Sequence, residues 1–259
     1  MTDVRRGKRV GLLVPFTNTN LEPDFAMMAP PGLTVHVARM GGYDEDEIPG
    51  VEQMQGLGAA IPHEPLELLM GVRPDVVVYG CTSATLTHGP DFDRNLSRTI
   101  KEISGAHTVT AAGALIEALR ALGVRRVAFA SPYVPEINAM AMRYLVDCGF
   151  EISGQAEVGE NLSNEGQGAM LPQDVFDLGL RAFRPDAEAI VLSCTDMRST
   201  EIIAALEKQT GVPVITSNQA MMFGVLKAIG HHDAISGFGM LLAHGLRQGL
   251  RHRQGERMN

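Results

Sequence analysis

The chain has 259 residues, 45% of them hydrophobic, with 22 Lys and Arg against 30 Asp and Glu, a formal net charge of -8 and a mean hydropathy of +0.02. This composition fills one large or two small cores and excludes a disordered or fibrous chain, and the acidic balance offers no overall positive field to hold a nucleic-acid backbone. Three cysteines make neither a disulfide framework nor a paired zinc-ligand array, so a reducing, cytoplasmic setting is expected.

The N-terminal basic residues and the short apolar run 10–16 resemble a secretory signal only superficially. The run leads into Thr17-Asn18-Thr19-Asn20 with no small-residue cleavage site, which predicts a buried strand over 10–14. No stretch of 18 consecutive apolar residues occurs, so no membrane span is expected. Gly41-Gly42 and the acidic run 44–47 read as a solvated loop. Gly56-Leu57-Gly58 lacks the preceding strand that a dinucleotide fingerprint requires and reads as a pair of turn glycines; no Walker-type Gly-Lys-Ser/Thr run is present.

Further strands are predicted at 76–79, 127–130, 190–193 and 212–216. Between them, 114–122, 139–146 and 202–208 carry apolar residues on one helical face. Alternating strands and helices imply a parallel sheet covered on both faces. Cys148 reads as a small hydrophobe, and Tyr43, Tyr79 and Tyr144 as packing residues. The basic stretch 247–259 reads as a frayed end.

The sequence also repeats itself. Lys8-Arg9-Val10-Gly11-Leu12-Leu13-Val14-Pro15-Phe16 is echoed by Arg125-Arg126-Val127-Ala128-Phe129-Ala130-Ser131-Pro132-Tyr133. Arg73-Pro74-Asp75 leading to Cys81-Thr82 is answered by Arg184-Pro185-Asp186 leading to Cys194-Thr195, and 105–123 is answered by 211–230. The three offsets are 117 (Pro15 to Pro132), 113 (Cys81 to Cys194) and 106 (Gly105 to Gly211). Two similar α/β lobes related by an approximate two-fold follow, with a cleft between them.

Ligands of open parallel sheets sit beyond the carboxyl ends of the strands, where both Cys-Thr pairs fall, so Cys81 and Cys194 are expected to face each other. A thiol with a pKa near 8.5 is only about 3% ionised at pH 7. Placement directly ahead of a helix is expected to lower that value and favour the thiolate, which deprotonates carbon acids or adds to electron-poor double bonds. A zinc site joining the cysteines to His88, His231 or His232 has no ligand spacing behind it. Asn18, Thr82, Ser83, Tyr133, Thr195, Ser217 and Asn218 gather at strand ends as neutral donors, suited to a small dicarboxylate.

These residues carry a resemblance. Val14-Pro15-Phe16-Thr17-Asn18-Thr19-Asn20-Leu21-Glu22, Tyr79-Gly80-Cys81-Thr82-Ser83, Ser131-Pro132-Tyr133, Ser193-Cys194-Thr195 and Ser217-Asn218-Gln219 resemble the aspartate/glutamate racemase superfamily, and within it the maleate cis-trans isomerases. Phe16 and Thr17 stand where the isomerase pattern has serines, which leaves the substrate open. The resemblance implies two pseudo-symmetric flavodoxin-like lobes, each with a four-stranded parallel sheet. The expected division is 1–112 with 218–259 as one lobe and 113–217 as the other.

It further implies a homodimer with no cofactor and no metal, acting on maleate without nucleic-acid or membrane partners. Carried over, Cys81 adds to the double bond and Cys194 is its acid/base partner, with the reverse assignment open. Asn18, Tyr133 and the amides around Thr82, Ser83 and Thr195 bind carboxylates. Asn161, in Glu160-Asn161-Leu162, matches a further substrate-binding asparagine, with Asn164 close by. The competing reading is a two-cysteine racemase acting at Cα of aspartate, glutamate or a hydantoin; the Asn18 and Tyr133 motifs favour the isomerase. An arylmalonate-type decarboxylase, which keeps only the second-lobe cysteine, and a non-catalytic small-acid binding protein are less well supported.

Overall fold

The computed structural model describes residues 7–41 and 46–246. The basic stretch 247–259, Gly42, Tyr43 and the first two residues of the acidic run 44–47 lie outside the described residues. The first sheet is built from β1 (Lys8–Pro15), β2 (Leu33–Met40), β3 (Val76–Tyr79) and β4 (His107–Thr110). Its helices are α1 (Leu21–Met28), α2 (Val51–Ala59), α3 (His63–Met70), α4 (Thr82–Leu86) and α5 (Pro90–Ser104). After α6 (Ala111–Leu122) the pattern recurs with β5 (Arg126–Ala130), α7 (Pro135–Asp147), β6 (Glu151–Ala156), α8 (Asn164–Ala169), α9 (Pro172–Ala182), β7 (Ala189–Leu192), α10 (Ile203–Thr210), β8 (Val214–Thr216) and α11 (Ser217–Ala228). Both sheets are parallel and have the same order, β2-β1-β3-β4 and β6-β5-β7-β8.

The central strands are apolar on both faces because helices cover both. Val10, Leu12, Val14, Val76, Val78, Val127, Phe129 and Val191 point into one core, whereas Leu13, Val77, Tyr79, Ala128, Ala130, Ile190 and Leu192 point into another. At the end of β4, α6 packs against both β4 and β8. At the end of β8, α11 packs against β3 and β4, and the two helices lie against each other. No helix among the described residues is long and apolar enough to cross a membrane.

Three strands have no counterpart in the pattern reading. β2 and β6 are sheet edges with partly exposed side chains, and β4, His107-Thr108-Val109-Thr110, has a single apolar residue, so none shows a continuous apolar run. The strand predicted at 212–216 starts at Val214, after Pro213, which has no N–H to give to a ladder. Gly56 and Gly58 are corrected from turn residues to residues of α2. A Cβ at Gly58 would stand 2.3 Å from the Ala84 carbonyl oxygen, so the glycine lets α2 and α4 approach closely.

Gly80 does the same for the step from β3 to Cys81. Its N–H extends the ladder to the Leu13 carbonyl at 2.9 Å, as the Ser193 N–H does to Ala130 in the second half. A Cβ at Gly80 would meet Leu21 Cδ2 at 2.4 Å and the Leu13 oxygen at 2.8 Å. Gly80→Ala is therefore expected to cost about 1–3 kcal/mol through overpacking, read as a lower urea midpoint with unchanged slope. An unchanged midpoint would show that Leu21 gives way freely.

Candidate active site

β3 and β7 each end two residues before a cysteine. Cys81 follows β3 and Gly80, and Cys194 follows β7 and Ser193. Both are buried, at 5% exposure, and both line one small cavity with Asn18, Thr82, Ser83, Tyr133 and Thr195. The expectation of a helix directly behind each thiol needs correcting. Cys81 stands at the N-cap of the five-residue α4, but the chain after Cys194 bends through 195–197, and the 3-10 turn Thr200–Ile202 begins later.

The loops after β1 and β7 hold each other across the cavity. Asn18 Nδ2 donates to Thr195 Oγ1 at 3.0 Å, while Asn18 Oδ1 accepts the N–H groups of Asn20 and Leu21 at 3.1 and 2.9 Å. Asp196 Oδ1 accepts the N–H groups of Thr19 and Asn20 at 2.8 and 3.0 Å. Behind this loop, Arg39 gathers the carbonyls of Pro15, Phe16 and Asn18 and pairs with Glu22.

Three of the expected binding residues stand elsewhere. Asn161 is exposed and off the cavity wall; Asn164, the first residue of α8, lines it instead. The cause is local: Ser163 caps α8 by accepting the Gly166 N–H, and both Asn164 donors reach the Glu47 carbonyl, at 3.0 and 3.1 Å. Ser217 and Asn218 open α11 one layer beneath the wall. Ser217 accepts the Thr82 hydroxyl at 2.9 Å, and Asn218 Nδ2 donates to the Thr195 carbonyl at 3.0 Å, so they brace residues that line the cavity.

Electrostatics also corrects the expected thiolate. Burial pushes both thiols above their ordinary value, Cys194 up to about 12. Two backbone amides oppose the shift at each sulfur: Ala84 and Ser83 at Cys81, Asp196 and Met197 at Cys194. The side chains differ. Ser83 Oγ lies 3.7 Å from Cys81 Sγ, whereas Cys194 faces the Asp196 carboxylate, which raises it further, and Gln167 Oε1 at 3.7 Å. Tyr133, buried on the same wall, is held neutral by burial and then by the nearness of the two thiols.

The family model for arylmalonate decarboxylase matches residues 10–242. The chain belongs to the arylmalonate decarboxylase family. The arylmalonate decarboxylase of Bordetella bronchiseptica is 31% identical over 238 residues, which span 88% of this chain and 91% of that one. The maleate isomerase structure from Pseudomonas putida superposes with a TM-score of 0.83 at 28% identity, covering 92% of this chain and 99% of that one. A mutant maleate cis-trans isomerase of Nocardia farcinica, with a covalently bound succinylcysteine intermediate, superposes with a TM-score of 0.82 at 25% identity. It covers 91% of this chain and 98% of its own.

Within this arylmalonate decarboxylase family member, sequence reasoning missed Gln167 and Asp196 on the wall and preferred Asn161 to the neighbouring Asn164. A signal existed. Asn164 and Gln167 are three residues apart and so share one helical face, and α2 and α8 start 113 residues apart (Val51 to Asn164), the spacing of the cysteines. The same offset carries Met54 onto Gln167 and Ser83 onto Asp196.

Asp24 was missed too. It is 3% exposed, and its Oδ2 accepts the Thr200 hydroxyl at 2.6 Å and Asn218 Nδ2 at 2.7 Å. Burial pushes its carboxyl up to about 6, against both hydrogen bonds. Because the folded value exceeds the unfolded one, the cost of the buried charge is absent below about pH 4 and complete above about pH 6. Asp24→Asn is expected to raise stability at pH 7.5 by up to about 3 kcal/mol and to leave it nearly unchanged at pH 4, read by urea unfolding. Equal changes at both pH values would show that the buried charge is not the cause.

Proposed function

We propose that this protein isomerises maleate to fumarate without a cofactor. The observation that carries the reading is a pair of buried cysteines lining one narrow cavity whose other polar groups, Thr17, Asn18, Thr82, Ser83, Tyr133, Asn164, Gln167 and Thr195, are neutral, the one carboxylate on the wall, Asp196, being engaged at Oδ1 by the Thr19 and Asn20 amides. Neutral donors hold carboxylates without quenching a thiolate beside them. The succinylcysteine found in a family relative supports the same chemistry. The division of the chain into 1–112 with 218–259 and 113–217 is part of this reading, supported by the packing of α6 against β8 and of α11 against β4.

In the proposed cycle the Cys81 thiolate forms a C–S bond to one olefinic carbon, and the π pair moves to the neighbouring carbon and its carboxylate. The Cys194 thiol delivers its proton to that carbon. Rotation about the new single bond brings the carboxylates apart; Cys194 takes the proton back, the C–S bond breaks, and fumarate leaves with Cys81 again a thiolate. The unequal surroundings of the sulfurs support this assignment: beside two backbone amides at each, Cys81 has a hydroxyl that can rotate to donate, whereas Cys194 has an acceptor oxygen and a carboxylate.

Proton NMR of the protein with maleate in neutral D2O tests the reading. Appearance of the fumarate olefinic singlet, lost after thiol alkylation, is the expected result. Untouched maleate would overturn it and turn the search to deuterium uptake at Cα of aspartate, glutamate and hydantoins.

A further inference from the structure

Gln167 sits on the wall at 6% exposure, at the position that the 113-residue offset pairs with Met54 of the first half. Its carboxamide has a defined orientation. Nε2 donates to the Leu162 carbonyl at 3.4 Å, and Oε1 faces Cys194 Sγ at 3.7 Å. Turning the amide over would set its oxygen against the Leu162 oxygen, so Cys194 meets only lone pairs from this side chain. A neutral S–H donates to that oxygen; a thiolate is repelled by it. In the first half the Ser83 hydroxyl lies between the equivalent groups, donating to Met54 Sδ at 3.0 Å and standing 3.7 Å from Cys81. A hydroxyl rotates to donate to a thiolate as readily as it accepts from a thiol.

We propose that Gln167 is a positioning residue that holds Cys194 as the protonated thiol and so divides two repeat-related cysteines into an acid and a nucleophile. The other groups facing Cys194 are the Asp196 carboxylate, Tyr133, Cys81 and the amides of Asp196 and Met197. The Asp196 Oδ1 atom is already engaged by Thr19 and Asn20. The assignment of acid and nucleophile rests on the two-thiol cycle proposed above; the effect of Gln167 on Cys194 does not need substrate.

The test compares wild type with Gln167→Met, which copies the first half and removes the acceptor oxygen, and Gln167→Glu, which keeps an acceptor and adds charge. Iodoacetamide modification of Cys81, Cys194 and Cys148 is followed by peptide mass spectrometry from about pH 6 to 10, a range that spans an ordinary thiol pKa. In Gln167→Met, Cys194 is expected to react about three- to tenfold faster relative to Cys81, as for the loss of one hydrogen bond to the neutral form. Because the Cys194 midpoint lies above this range, the gain over wild type is read as a rate ratio that stays the same across it, and kcat for maleate falls more than KM changes. In Gln167→Glu, Cys194 reacts no faster than in wild type. An unchanged ratio of Cys194 to Cys81, parallel acceleration of both, or faster Cys194 reaction in Gln167→Glu would overturn the proposal. A raised Cys194 rate ratio in a protein that leaves maleate untouched would remove the maleate reading and keep the role of Gln167.

Discussion

Cys81→Ala is expected to lower conversion of maleate to fumarate by at least about 10^3-fold, because in the proposed cycle its sulfur forms the bond that frees rotation. The side chain is small and 5% exposed, so removing its sulfur should cost about 1 kcal/mol of stability and leave the fold intact. Near-wild-type turnover in this variant would sink the addition mechanism. Cys148, at the end of α7 and half-buried, lies off the cavity wall, and Cys148→Ala should be kinetically silent. The pH profile gives a second reading of the same group. Burial raises the Cys81 thiol, so the reactive thiolate is a minor form at neutral pH, while Cys194, pushed up to about 12, is protonated at neutral pH. kcat/KM is therefore expected to rise about tenfold per pH unit from about pH 7 to 9, and a flat profile there would exclude Cys81 as the ionising nucleophile.

The second large effect is expected from Cys194→Ser. Addition at Cys81 needs only a thiolate and a source of one proton, which solvent supplies. Elimination needs that proton removed again, and a serine hydroxyl is a poor base, so the thioether should accumulate while turnover falls by at least about 10^2-fold. Intact-mass and peptide analysis after incubation with maleate should show one added maleic acid on the peptide bearing Cys81. The Cys81→Ala, Cys194→Ser double variant should show none. Adduct on Cys148 instead would mean unspecific thiol addition, and unmodified protein with full turnover would remove Cys194 from the mechanism.

Much of the fold was legible because the central strands are covered on both sides. Val10 to Val14, Val76 to Tyr79 and their repeats read as unbroken apolar runs for that reason. The edge strands β2 and β6 were not legible, since half of each faces solvent and their pairing is supplied by the neighbouring strand. Both cysteines, with Asn18, Thr82, Ser83, Tyr133 and Thr195, were legible because a parallel strand delivers the residues after it to one edge of the sheet. Gln167 was not legible, and Asn164 was named only as the neighbour of Asn161, because their aim depends on the Ser163 cap and on the carbonyls of Glu47 and Leu162, which lie in irregular chain.

The sequence by itself determined two parallel sheets of one design and a cysteine beyond one apolar strand of each, because hydrophobic period and internal repetition can be read along the chain without knowing its contacts. Only the tertiary structure decided the state of those cysteines. The expected helix behind Cys194 is absent, and closing the two halves over both thiols removes the water that would stabilise their charge. Repetition makes the sulfurs alike, each with two backbone amides; Ser83 opposite Asp196 and Met54 opposite Gln167 make them different. Ionisation follows from which donors and acceptors are brought within reach, and that is set by packing between distant segments.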